Sequence, residues 1–402
     1  MPIAQAMPES SSVLPFPPRP VLAPAEPADA PILLSPPQLT GREIASLTAT
    51  LQSGWVAPAG PVPAAFEAAL AGATGLPHVL AVASGTAALH LGYRCLGIEP
   101  EDEVWTATLT YVATIAPAVQ MGARPRFLDV SPASWTLDPD LLEHELGLAA
   151  RQGRLPRAVV PVDLFGQSCD LDAIGALCDR WGVPVLCDSA EALGATRHGR
   201  PAGQGARLAA FSFNGNKIIT AGGGGALASE DARLIATARN LASQAKQPAA
   251  HYQHETTGYS YGLSSILAAV GLAQLAALPA RVAARRAIFE RYRSGLAGLP
   301  GLALMPEPEW SRSTRWLTAV LLDPRQGAPD RDAVRGGLAA AGIESRPVWK
   351  PLHLQPAFRR APCAGGAVAA GLFELGLCLP SGSGLTPAQQ DRIIGCLHDL
   401  WP

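Results

Sequence analysis

The chain has 402 residues, 48% of them hydrophobic and only 16% charged, with a net charge of −2. That composition supports a large buried core and excludes wholesale disorder. Near neutrality, with no basic block, excludes a surface built to coat nucleic acid or to sit on an anionic membrane. The seven cysteines form no Cys-x-x-Cys pair and their number is odd, so we expect reduced thiols in a cytoplasm, with neither a disulfide framework nor a metal site.

In chain order, residues 1–30 are rich in Pro and Ala and predict an extension that packs no core. They lack the charged start and unbroken apolar run of a signal peptide. From residue 79 the pattern alternates. Strands are expected over 79–83, 103–107, 126–130, 158–162 and 184–188. Helices are expected over 86–96, 111–121, 138–149 and 171–181. This alternation predicts an α/β fold with a mostly parallel sheet between helices. In such sheets ligands sit beyond the carboxyl ends of the strands. A long helical region over 263–294 follows. Its apolar stretch is interrupted by Ser264, Ser265 and Gln274, short of the ~18 apolar residues of a membrane span, and predicts a buried helix leading to an Arg-rich face at 281–286. Short strands at 318–322 and 343–348 then mix with helices at 331–341 and 387–400. The expected division is therefore a large domain over 31–294 and a smaller α+β domain over 295–402.

Only three of the 31 basic residues are lysines, Lys217, Lys246 and Lys350, so a reacting amine has three possible places. Lys217 follows Phe211-Ser212-Phe213-Asn214-Gly215-Asn216 and precedes Ile218-Ile219 and the glycines 222–225. Apolar residues this close on both sides predict a desolvated amine suited to Schiff-base chemistry. The order is not that of a P-loop or of GxGxxG. Lys246 lies in a polar loop, and Lys350 in Trp349-Lys350-Pro351 is a possible substrate contact. Asp188 ends the apolar run Pro184-Val185-Leu186-Cys187, so its carboxylate faces the expected crevice. It reads equally as a helix cap or, beside a Schiff-base lysine, as the partner of a pyridinium nitrogen. Ser84-Gly85-Thr86 joins a strand to a helix and reads as an ordinary N-cap or as a phosphate cradle. His90, one turn further, reads as packing. Tyr111, at the next strand-to-helix junction, reads as core or as a ring that stacks on a flat ligand.

Together these segments resemble the DegT-type sugar-nucleotide aminotransferases, pyridoxal 5′-phosphate (PLP) enzymes of fold type I. The resemblance runs from about residue 31 to the end. It includes Gly54-Trp55-Val56-Ala57-Pro58, Ser84-Gly85-Thr86-Ala87-Ala88-Leu89-His90-Leu91, Val162-Asp163-Leu164-Phe165-Gly166, Asp188-Ser189-Ala190-Glu191-Ala192-Leu193-Gly194, the Lys217 segment, Gly258-Tyr259-Ser260-Tyr261, Pro351-Leu352-His353-Leu354-Gln355-Pro356 and Leu379-Pro380-Ser381-Gly382.

The resemblance implies that Lys217 bonds the cofactor and later moves the proton, and that Asp188 pairs with the ring nitrogen. Gly85, Thr86 and Ser212 would hold the phosphate, and Tyr111 would stack on the ring. Glu191 stands where relatives often have His or Gln, near the cofactor's 3-oxygen, to which a carboxylate donates only when protonated. Ser260 replaces an Asn that reaches the phosphate across a dimer interface, and is shorter. The resemblance also implies a homodimer with shared active sites, L-glutamate as donor and a nucleotide-linked keto-sugar as acceptor. The Asn-Gly-Asn-Lys-Ile-Ile-Thr form of the lysine segment is most similar to enzymes of UDP-linked 2-acetamido-4-keto-2,6-dideoxyhexoses. A GDP-4-keto-6-deoxymannose or dTDP-sugar aminotransferase, or a PLP-binding regulator without turnover, are the alternatives. The dehydratases of the family carry His in place of the lysine, and Lys217 argues against them.

Overall fold

A computed structural model describes residues 30–401; the Pro-rich stretch over 1–30 lies, except for Ala30, outside the described residues. Residues from Pro31 onward form one compact unit. Its largest feature is a sheet whose strands are β1 (His78–Val82), β2 (Glu103–Ala107), β3 (Arg124–Leu128), β4 (Ala158–Val160), β5 (Leu186–Asp188), β6 (Leu208–Ser212) and β7 (Gly225–Ser229). The spatial order runs β1-β7-β6-β5 and then β4-β2-β3. The two halves meet through bridges from Val159 to Val185 and from Val162 to Asp188. Only β7 runs against its neighbours, between β1 and β6; all other pairings in this sheet are parallel.

Both faces of the sheet are covered, as a parallel sheet requires. Along β1, Val79 and Ala81 enter one apolar cluster and Leu80 and Val82 enter the other. The same alternation holds in β6, where Ala209 and Phe211 face one side and Leu208 and Ala210 the other. The expected strands and crossover helices are present, with one difference. The predicted helix over 111–121 is a short 3₁₀ turn, Val112–Thr114, followed by a five-residue helix, Ala116–Gln120. Pro117 near its start supplies no N–H, which favours a fresh start there over a continued helix.

The long helical region is two helices, Ser265–Leu275 and Leu278–Gly295, bent by 59° at their junction. Among the described residues no single helix is long and apolar enough to cross a membrane. The Arg-rich stretch is not a solvated face: Arg281 and Arg285 are buried, and Arg286 pairs with Glu307. Beyond it, strands Leu302–Leu304, Thr318–Leu322, Gly376–Leu379 and Arg346–Pro347 form an antiparallel sheet with its own apolar cluster around Val320, Leu338, Leu377 and Ile393. Two short strands from this region reach back: Cys363–Ala364 pairs with β3, and Ser311–Arg312 with Thr196–Arg197. The seven cysteines are free thiols; Cys169 and Cys187 lie 3.9 Å apart, with Asp163 close to both.

Candidate active site

The carboxyl ends of β1, β5 and β6 open into a cavity of about 530 Å³. Seven of the residues singled out in the sequence line it: Gly85, Thr86, Tyr111, Asp188, Glu191, Ser212 and Lys217. Ser260 does not line the cavity of its own chain; it is exposed and bridges to Ser243. Nor does His90, whose ring packs against Tyr259 and Tyr261. Lys246 lies over the exposed ring of Tyr252, and Lys350 lines an adjoining chamber.

Lys217 sits on the connection between β6 and β7. Its backbone N–H donates to the Asn214 carbonyl at 3.0 Å, and Ile218 and Ile219 are buried as anchors on its far side. The glycines that follow serve the return. Gly224 adopts φ +111, which side chains of L residues rarely accept, and a Cβ on Gly225 would lie 2.5 Å from the Gly85 nitrogen. This close approach brings β7 against the turn that opens helix Gly85–Cys95. Ser84 caps that helix by accepting from Ala87 N–H at 3.0 Å. The N–H groups of Gly85 and Thr86, in its first turn, have no intrahelical acceptor. Gly85 also lets Ser212 approach, since a Cβ there would meet the serine Cβ at 3.0 Å. The result is a small concave anion site of backbone donors and a hydroxyl.

The Lys217 side chain is only 14% exposed. Its Nζ donates to Glu191 Oε1 at 3.3 Å and lies 4.2 Å from the centre of the Trp316 ring. Glu191 is held in turn by the Phe165 N–H, which donates to Oε2 at 2.9 Å. In this protein the carboxylate is therefore an acceptor, a role that a Glu fills without protonation. Asp188, 5% exposed, accepts from Thr114 Oγ1 at 2.7 Å and from Ala190 N–H at 3.1 Å. Burial pushes its carboxyl up to about 6, against those two bonds. Thr114 is itself bonded to Thr110 at 2.7 Å. Sequence reasoning missed Thr114, although it lies one turn beyond Tyr111. It also missed Trp316 and Trp349, which close the cavity from 100 and more residues away and carry no local signal. Tyr111 is 59% exposed and lies tilted at 53° to the Trp349 ring, with ring centres 6.1 Å apart.

These groups fit PLP. The lining includes one lysine to take an aldehyde and a buried carboxylate to keep a ring nitrogen protonated. It also includes a glycine-lined helix start, beside a serine, to hold a phosphate. The fold and this set of groups together define a PLP-dependent aminotransferase. A family model described as the DegT/DnrJ/EryC1/StrS aminotransferase family matches residues 37–398, and the chain belongs to that family.

The chain is 47% identical over 374 residues to EpsN of Bacillus subtilis (strain 168), provisionally named a pyridoxal phosphate-dependent aminotransferase; the match covers 92% of this chain and 96% of EpsN. It is 36% identical over 370 residues to GDP-perosamine synthase of Caulobacter vibrioides, covering 92% and 98%. Among solved structures, the aminotransferase TlmJ from Streptoalloteichus hindustanus superposes with a TM-score of 0.85 at 31% identity, covering 92% of this chain and 98% of TlmJ.

Proposed function

We propose that this enzyme moves the amino group of L-glutamate to a nucleotide-linked 4-keto-6-deoxy sugar, in the cytoplasm, for surface-glycan or glycoprotein-sugar biosynthesis. The observation that carries the reading is the placement of Lys217 Nζ in one cavity with Asp188 and the helix start at Gly85. Room for a substrate larger than an amino acid supports the sugar nucleotide. A second chamber of about 550 Å³ adjoins the first and shares Asn216, Trp316 and Trp349 with it.

PLP supplies an aldehyde that bonds amines and a ring that accepts the electrons released when the neighbouring C–H bond breaks. The rest is the work of the chain. Asp188, short of water and fixed by Thr114 and Ala190, would keep the ring nitrogen protonated. Gly85, Thr86 and Ser212 would hold the phosphate, and Tyr111 would pack on the ring. Lys217, with its amine free, would move a proton between the donor's carbon and the cofactor's carbon. In the second half of the cycle the same amine would move a proton from the cofactor's carbon to the sugar carbon. Such positioned acid–base transfer is worth about 10²–10⁴-fold. Glu191 offers the freed amine an acceptor at 3.3 Å.

Within that class we favour UDP-2-acetamido-4-keto-2,6-dideoxyhexose as acceptor, on the form of the lysine segment. GDP-4-keto-6-deoxymannose is the second reading, supported by the 36% identity to a GDP-perosamine synthase. Incubating the PLP-loaded enzyme and glutamate with UDP-, dTDP- and GDP-linked 4-keto sugars separates them, with 2-oxoglutarate as readout. Turnover of the UDP sugar alone supports the first. Turnover with none of them removes the sugar-nucleotide reading and leaves the transaminase.

A further inference from the structure

Arg285 lies in helix Leu278–Gly295 and is 1% exposed. Among the described residues it has no carboxylate partner, and its Nε has no acceptor. Burial holds its guanidinium well below the usual arginine range, at about 9. An uncompensated cation in the interior is costly. Its hydrogens go instead to three neutral oxygens. Nη1 donates to the carbonyls of Trp316 and of Ser381, the latter at 3.0 Å, and Nη2 donates to Ser35 Oγ at 3.1 Å.

Two of these partners converge on one atom. Because Arg285 fills an acceptor position of the Ser35 hydroxyl, the serine's own hydrogen is left for the Asn216 carbonyl, 2.9 Å away. Trp316, held at its carbonyl by the same guanidinium, donates its indole N–H to that same Asn216 carbonyl at 2.8 Å. Asn216 immediately precedes Lys217, so this carbonyl belongs to the peptide that carries the lysine nitrogen. The loop around it is otherwise open: Asn214 and Asn216 are exposed. The Trp316 ring also faces Lys217 Nζ directly.

We propose that Arg285 is a positioning residue for the reacting amine: through Ser35 and Trp316 it pins the Asn216–Lys217 peptide and so sets where Lys217 Nζ stands in the cavity. The inference rests on the reading of Lys217 as the amine that bonds PLP. No shorter apolar side chain could replace it, since the relay needs one planar group that donates in several directions at once.

The test uses the PLP-loaded enzyme and four variants: Arg285→Met, Arg285→Lys, Ser35→Ala and Trp316→Phe. The first readout is the pH midpoint of the visible absorbance of the bound cofactor, which reports the surroundings of Lys217 without turnover. The second is the split between kcat and KM. Arg285→Met should move the midpoint by about half a unit or more. It should lower kcat about tenfold, because small misplacements at a reacting centre are expensive, and leave both KM values within about twofold. Ser35→Ala and Trp316→Phe should each shift the midpoint in the same direction by less, and Arg285→Lys should fall between wild type and Arg285→Met. Combining Ser35→Ala with Arg285→Met should add little, since both break one relay. Unchanged midpoints in Ser35→Ala and Trp316→Phe overturn the proposal even if Arg285→Met does not fold. Full additivity in the double variant also overturns it. A wild type in which borohydride fixes no cofactor to Lys217 overturns the reading of the site, and the relay with it. Fixation on Lys217 with unmoved variants overturns the relay alone.

Discussion

At the scale of single residues, the site pairs groups whose surroundings oppose one another. Asp188 is buried and disfavoured as an anion, while Lys217 and Thr114 supply the interactions that favour it. Its folded pKa, about 6, lies above the unfolded value, so it destabilises the cofactor-free fold once ionised. The sign follows: Asp188's contribution to stability is most favourable below the unfolded pKa near 4 and is lost as pH rises through about 6. Asp188→Asn should therefore raise the melting temperature of cofactor-free protein at pH 8, by up to the order of 3 kcal/mol in stability. That gain should fade by about pH 4. The same variant should bind PLP but lose most of the glutamate half-reaction, measured at saturating cofactor. A near-wild-type rate would show that Asp188 is only a cap. Lys217 has an equally direct check. Borohydride should bleach the yellow enzyme permanently and leave the cofactor on the Lys217 peptide, and Lys217→Ala should bind PLP without transaminating. Label on Lys246 or Lys350 would overturn the assignment.

At the scale of elements, loops at the ends of strands line the candidate site and buried polar contacts fix the loops. Asp129, at the end of β3, is an example outside the cavity. It is buried, and its carboxylate accepts from the N–H groups of Gly366, Val368 and Ala369 at 2.6, 3.0 and 2.9 Å. These are the first donors of helix Ala367–Leu375, which otherwise has no side-chain cap. The contact ties the C-terminal region to the main sheet, next to the pairing of Cys363–Ala364 with β3. Charged acceptors on helix donors are worth roughly 1.5–3 kcal/mol, and the loss leaves those donors unpaired. Asp129→Ala should thus lower unfolding stability by about 3 kcal/mol in urea titration, with the denaturant slope unchanged. The Lys217 segment is likewise legible only in part at this scale. Phe-Ser-Phe and Ile-Ile mark a desolvated lysine, yet the sequence pattern did not single out β6 and β7. These are short, Ala- and Gly-rich strands, whose pairing comes from neighbours and not from propensity.

At the scale of the whole molecule, the Gly258-Tyr259-Ser260-Tyr261 turn bears on assembly. It lies outside the cavity of its own chain, with Ser260 exposed and bridged to Ser243. We propose an obligate homodimer in which this turn completes the partner's site, with Ser260 reaching phosphate through water where an Asn would touch it. Ser260→Asn should hold PLP at least as tightly, and Ser260→Trp more weakly. Mixing Lys217→Ala with Ser260→Trp subunits should restore one intact site per heterodimer. Activity that stays at the level of either parent after confirmed subunit exchange would show that each site is built within one chain. The division near residue 295 we likewise propose as a boundary between two layers of architecture, since the antiparallel sheet beyond it encloses its own apolar cluster.

The sequence by itself determined the alternating strands and helices, because hydrophobic periodicity is a local property and both faces of this sheet are buried. It also pointed to Lys217 as the candidate amine, because the other two lysines lie in visibly polar or proline-bounded settings, and Lys217 does line the cavity. Asp188 and Gly85 were legible because strand ends and strand-to-helix turns leave short-range marks, whereas Ser212 entered only through the family resemblance. Only the tertiary structure decided what those groups touch. Glu191 meets Lys217 across 26 residues and Thr114 meets Asp188 across 74. Ser35 and Trp316 reach Asn216 across 181 and 100. Such contacts depend on how distant layers pack, and packing writes no spacing into the chain. For the same reason Arg285, which the sequence shows only as part of an Arg-rich stretch, proves to be the buried group on which that network closes.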